Sequence, residues 1–271
     1  MSSCKAFQEA LRTTGHYETS PEDRPSRQAR VGAFSALRYA GVIIGIMWRC
    51  AWQNLRGKFD HAAWGEICMS TVTTAERLGA VVTCEGFEQM AAHRGPVVYV
   101  SNHMSTLETL ALPSILVAFG RLAIILKQSL IDIPFVGASA ITLGFIAVSR
   151  KNAREDLKVV LEEGAKRLAD GYSVLLFPQG TRQDVFENKR FNSLGAKLAE
   201  RAGVPLVPIA VQTDFLQNGK WIKDFGPVDP SRPIRFACGP LLPAELGARQ
   251  AHEQSVAFIG ERLKAWGLPV A

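Results

Sequence analysis

Cysteine is scarce. The 271 residues hold five, Cys4, Cys50, Cys68, Cys84 and Cys238, spread singly with no C-x-x-C pair. That spacing excludes a disulfide framework and the usual thiolate zinc site, and it fits a reducing compartment. Small apolar filler is the role left to them. Long hydrophobic runs are also missing. In the apolar segment 31–56 the longest stretch without a charge runs only from Tyr39 to Trp48, whereas a spanning helix needs about 20 apolar residues. The first thirty residues lack an apolar core of the secretory kind, so no leader is expected. No G-x-G-x-x-G follows a strand-like run, which argues against a dinucleotide-binding oxidoreductase. No G-x-S-x-G elbow occurs, so the serine hydrolase arrangement is absent. No zinc-finger or RNP motif occurs, and no nucleic-acid partner is expected.

What is present is a globular composition, 47% hydrophobic and 21% charged, with a net charge of +6. The charge is local: residues 1–58 carry nine Lys and Arg against four acids, nearly the whole excess. Residues 1–30 include TSPEDRPSRQAR, poor in apolar residues and broken by Pro21 and Pro25, and read as a flexible polar tail. Residues 31–79 read as two membrane-associated helices and 80–271 as an α/β domain. In the first helix Arg38, Arg49 and Arg56 fall within about 20° of one another at about 100° per residue. A single cationic stripe on an apolar helix fits a helix lying in a membrane interface. The same pattern also fits a core helix with a solvated edge, or a tilted span with snorkelling arginines. In the second helix Trp64, Ile67, Cys68, Val72, Ala75 and Leu78 define a packed face.

From Val81 onward short apolar runs alternate with helical stretches. VVTCEGF, PVVYVSN, LAIILKQ, LGFIAVSR, SVLLFPQ and VPLVPIAVQ are strand candidates, and PIRFACGP is a late addition. Several are apolar almost throughout, as strands covered on both faces are. NAREDLKVVLEEGAKRLADG and SLGAKLAERAG are helical and end at glycine, and SVAFIGERLKAWG is a terminal helix. The order predicts an α/β fold, a mostly parallel central sheet flanked by helices and preceded by the N-terminal helical pair.

Sites in such sheets lie beyond the carboxyl ends of strands. Three polar clusters are expected there: Asn102, His103 and Glu108; Ser149, Arg150 and Lys151; and FPQGTR, Phe177 to Arg182. Ser105 with Glu108 forms S-x-x-E ahead of LETLALPSIL, a capping box. A His and a Glu five apart point about 140° apart on one continuous helix. They meet only if the chain turns between them, and the cap supplies that turn. His103 would then sit outside the helix N-terminus, where the partial positive charge disfavours imidazolium and leaves a competent base. Gly180 permits close approach of a ligand, and Arg182 offers a planar fork suited to phosphate.

Together these segments resemble the glycerophospholipid acyltransferases of the lysophosphatidate acyltransferase type. That family carries N-H-x-x-x-x-D, G-x-x-F/I-x-x-R, F-P-E-G-T-R and V-P-[LIV]-[IV]-P in order. Here they read NHMSTLE, GFIAVSR, FPQGTR and VPLVPIAV, and the resemblance spans residues 81–211. The resemblance implies transfer of a fatty acyl group from acyl-CoA or acyl-carrier protein to the free hydroxyl of a lysophospholipid, 1-acylglycerol-3-phosphate giving phosphatidate. It implies His103 as base and Glu108 as its partner. Gly180, Thr181, Arg182, Arg150, Gln179 and Asn102 would bind substrate. No metal or cofactor beyond the acyl thioester is implied. The partners would be membrane lipid, the thioester and an acyl-carrier protein as one possible donor, at the cytoplasmic face of a membrane, peripheral or monotopic. Two departures from the pattern matter for the chemistry: Glu108 stands for Asp and Gln179 for Glu. The neutral Gln179 leaves open a different acceptor, such as an amino-acid-headed lysolipid, or a catalytically silent lipid-binding protein.

Overall fold

The computed structural model describes residues 3–23, 35–219 and 224–271. The elements in order are α1 (Cys4–Thr14), β1 (Tyr17–Glu18), α2 (Ser35–Leu55), α3 (His61–Arg77), β2 (Val82–Glu85), α4 (Glu88–Ala92), β3 (Val98–Ser101), α5 (Thr106–Leu116), β4 (Arg121–Lys127), α6 (Gln128–Ile131), α7 (Pro134–Thr142), β5 (Ile146–Val148), α8 (Ala153–Ala169), β6 (Tyr172–Leu176), α9 (Leu194–Ala202), β7 (Leu206–Gln212), β8 (Ile234–Cys238) and α10 (Ala248–Ala265). One sheet runs in the order β1-β2-β8-β7-β3-β6-β4-β5. β3 lies centrally, parallel to both β6 and β7. Parallel pairing continues from β6 to β4 and β4 to β5. The antiparallel pairs are β7 with β8 and β1 with β2.

The apolar strands divide their side chains between two cores. Tyr99, Leu175, Val207, Ile209 and Val211 face one, under α3 and α5. Val98, Val100, Val174, Leu176, Leu206 and Ala210 face the other, under α8, α9 and α10. Both sheet faces are covered, so alternation in the strand runs is apolar with apolar.

The first twenty-odd residues are not a tail. Helix α1 is capped by Ser3 and closed by Gly15 in a left-handed conformation. Phe7 and Leu11, four apart on one face, are fully buried. Phe7 meets Tyr17 edge to face at 4.6 Å. Arg12 Nε donates to the Ala118 carbonyl at 2.7 Å, and Gln8 Nε2 to that of Ser114 at 3.0 Å. The polar composition is real, but two well-placed apolar side chains suffice to dock the helix. The rest of the expected tail, 24–30, lies outside the described residues, as do 31–34.

Helix α2 presents three faces. Tyr39, Ile43, Ile46 and Cys50 are buried against the fold. Leu37, Ile44, Trp48, Trp52 and Leu55 stand exposed, and so do Arg38, Arg49 and Arg56. The helix packs against α3 and α7. Among the described residues no helix is long and apolar enough to cross a membrane. In α3, Trp64, Ile67, Cys68, Val72 and Ala75 are buried as the pattern predicts, in the same core as the sheet.

Candidate active site at the carboxyl end of the sheet

Strand β3 ends at Ser101 and α5 begins at Thr106, with the site in the turn between them. Ser105 is the N-cap in extended conformation, and its hydroxyl accepts from Leu107 N–H. Glu108 at N3 reaches back, so the capping box is complete. One of its oxygens accepts from Ser105 N–H at 2.9 Å and Met104 N–H at 2.7 Å, and lies 2.7 Å from His103 Nδ1. Thr213, just beyond β7, donates its hydroxyl to the other oxygen at 2.5 Å. The capping glutamate and the histidine's partner are one side chain.

Glu108 has no exposed surface. Burial alone would raise its pKa, but the bonds from His103 and Thr213 outweigh it and hold the carboxyl below its ordinary value. An ionised carboxylate only accepts, so Nδ1 must donate. The lone pair of the imidazole is then on Nε2, where a general base needs it. The ring stacks on Phe177 at 4.4 Å and is half-buried.

FPQGTR follows β6, next to β3. Gln179 is buried; its carbonyl accepts from His103 N–H at 2.8 Å while its amide donates to Gln183 at 3.0 Å. Gln183 N–H in turn donates to the His103 carbonyl at 2.9 Å. Gln179 thus holds the histidine's backbone. Asn102 is pinned as well. It is 2% exposed, and its amide exchanges two bonds, 2.9 and 2.8 Å, with the Val211 backbone. That clamps β3 to β7.

The remaining expected residues lie in the segments that follow β5 and β6. Gly180 has φ +72° with open space beside it, and Thr181 is exposed. Arg182 donates to Thr106 Oγ1 at 2.8 Å and to Asp224 at 2.6 Å. Arg150, left-handed at φ 57°, donates instead to the Gly180 carbonyl. Its side chain borders a cavity of about 520 Å³ over Leu157, Val160, Leu176 and Leu194. The two arginines thus engage different partners on the two sides of the Gly180 turn. Thr106, Thr213 and Asp224 went unread in the sequence. Thr213 directly follows the strand-like run VPLVPIAVQ, which was its only local signal; Asp224 had none. No cysteine joins the site, and burial pushes the Cys50 thiol up to about 12, far from a nucleophilic thiolate.

Comparison with known proteins agrees with this geometry. Residues 81–212 match the family model described as Acyltransferase. A 1-acyl-sn-glycerol-3-phosphate acyltransferase of Pseudomonas aeruginosa is 33% identical over 172 residues, which is 63% of this chain and 62% of that protein. One from Chlamydomonas reinhardtii is 35% identical over 59% of this chain and 45% of its own length. The chain thus spans less than two thirds of the length of these relatives. The crystal structure of the 1-acyl-sn-glycerophosphate acyltransferase PlsC from Thermotoga maritima superposes with a TM-score of 0.59 at 16% identity, covering 86% of this chain and 95% of that one. It shares the α/β fold with a central sheet flanked by helices. Motif order, strand-end placement and similarity converge: over residues 81–212 the chain is similar to the Acyltransferase family.

Proposed function

We propose that the protein transfers a fatty acyl group from a thioester, acyl-CoA or acyl-carrier protein, to the free hydroxyl of a phosphate-bearing lysophospholipid, with 1-acylglycerol-3-phosphate as acceptor. The observation that carries this reading is the 2.7 Å contact between His103 Nδ1 and the buried Glu108 carboxylate, beside an arginine fork. Nε2 takes the hydroxyl proton as the oxygen attacks the thioester carbonyl. The tetrahedral adduct collapses, the C–S bond breaks, and the imidazolium returns the proton to the departing thiolate. Glu108 stays ionised and stabilises the imidazolium while it exists. No acyl-enzyme is required, because the acceptor is itself the nucleophile. Arg182 and Thr106 hold the acceptor phosphate, with Gly180 and Thr181 giving it room.

We further propose that α2 lies in the membrane interface, on the cytoplasmic side, which brings the site to lipid substrates. Its exposed apolar face and neighbouring arginines support this placement. The chemical reading is tested with purified protein, acyl-CoA and lysophosphatidate in detergent. His103→Ala should lose about 10²–10⁴-fold in turnover, the usual contribution of a general base. Wild-type turnover in that variant would overturn the mechanism.

A further inference from the structure

Arg182 already holds an anion. Its Nη2 lies 2.6 Å from Asp224 Oδ1, and its Nη1 donates to Thr106 Oγ1 at 2.8 Å. Thr106 Oγ1 donates to the same Asp224 oxygen at 2.8 Å. Guanidinium, hydroxyl and carboxylate close a triangle. Thr106 is also the first residue of α5. The carboxylate therefore sits where an anion gains most: on an arginine fork, a hydroxyl and the positive end of a helix. His103 is three residues before Thr106, so an acceptor whose phosphate took this place would bring its hydroxyl to the base.

Asp224 does not belong to either motif. It sits in the β7–β8 connection, whose described part crosses the site and is pinned to it. Asn218 Nδ2 donates to the Met104 carbonyl at 3.0 Å. Asp229 N–H bonds the Phe215 carbonyl at 2.8 Å and Gln217 N–H the Pro227 carbonyl at 3.0 Å. Asp224 is half exposed, with side-chain accessibility of 46% against 18% for Arg182. As the more exposed partner, it can turn to water when displaced.

We propose that Asp224 is an internal competitor for the acceptor's phosphate: it occupies the Arg182–Thr106 anion site in the free protein and must yield before the acceptor binds. This rests on the proposed acyltransfer to a phosphate-bearing acceptor. The competition has a simple signature. A rival that must be displaced weakens every ligand of that site by one common factor, whatever the ligand's own affinity. Removing its charge should tighten all of them equally.

The test uses Asp224→Asn in the full-length protein, with Asp224→Ala as a second variant. Two quantities are measured for each: KM for lysophosphatidate at saturating acyl-CoA, and Kd for inorganic phosphate from its protection against thermal unfolding. A partly exposed ion pair is worth up to about 1 kcal/mol, so both constants should fall by the same factor, about two- to fivefold. The KM for acyl-CoA should not follow. Thr106→Val should raise both constants, since it removes a donor from the site. If either Asp224 variant raises the two constants, or lowers one without the other, Asp224 orients Arg182 and does not compete, and the inference fails. If wild type acylates only phosphate-free lysolipids, the proposed acceptor class fails instead. The phosphate Kd still reports on Asp224 in that case, so the two failures are distinguishable.

Discussion

Glu108 completes a helix cap and holds the His103 imidazole with the same carboxylate. The two roles are separable by charge. Glu108→Gln keeps an acceptor for Ser105 N–H and Met104 N–H but cannot stabilise an imidazolium. Turnover should fall by roughly 10²–10⁴-fold with the loss in kcat, while a purely structural glutamate would leave kcat intact. Stability adds an independent check. The folded pKa of Glu108 is depressed, so its contribution is present above the ordinary value of 4.5 and fades as pH falls through the lower, folded value. At pH 7 the variant should be less stable by about 1–3 kcal/mol, the cost of weakened bonds to a buried group. The gap in Tm between wild type and variant should narrow steadily as the pH is lowered below 4.5. A gap constant with pH would mean that the carboxyl is not ionised in the folded state.

At the scale of elements, the strand runs were legible because both sheet faces are covered, which makes them apolar throughout. The His–Glu pair was legible because S-x-x-E predicts the turn that brings the two together. The backbone bonds of Gln179 and Asn102 were not legible, because their partners, His103 and Val211, are 76 and 109 residues away in the chain. Asp224 was invisible because it meets Arg182 across 42 residues. Helix α1 was missed because its docking rests on two side chains in an otherwise polar stretch. That concentration makes it sensitive. Leu11 is fully buried beside Phe7, so Leu11→Ala should cost about 2–5 kcal/mol by cavity formation, read as a lower denaturation midpoint. A flexible tail would show no change.

The whole molecule has one face unlike the rest. At about 100° per residue, the exposed Leu37, Ile44, Trp48, Trp52 and Leu55 span about 80° of α2. The arginine stripe lies beside this arc, and the buried face lies on the far side of the stripe. Trp48 stacks on Trp52, and Arg56 lies 4.3 Å over the Trp52 ring. Ile141 of α7, which packs against α2, is also 70% exposed. Contiguous exposed aromatics and aliphatics are costly in water unless a partner covers them. A row of arginines along their edge suits an anionic lipid surface, each contributing about 1 kcal/mol near the headgroups. The charge and the apolar face should therefore be separable on vesicles. Trp48→Glu with Trp52→Glu should abolish sedimentation with phosphatidylglycerol-containing vesicles at any salt concentration. Replacing Arg38, Arg49 and Arg56 by Gln should weaken binding most at low salt and little at high salt, because only the Coulombic part is screened. Both sets lie on exposed positions, so the detergent-solubilised activity on lysophosphatidate should survive in each variant, and only activity on vesicle-embedded acceptor should fall. Unchanged vesicle binding after removal of both tryptophans would mean that this face meets something other than lipid.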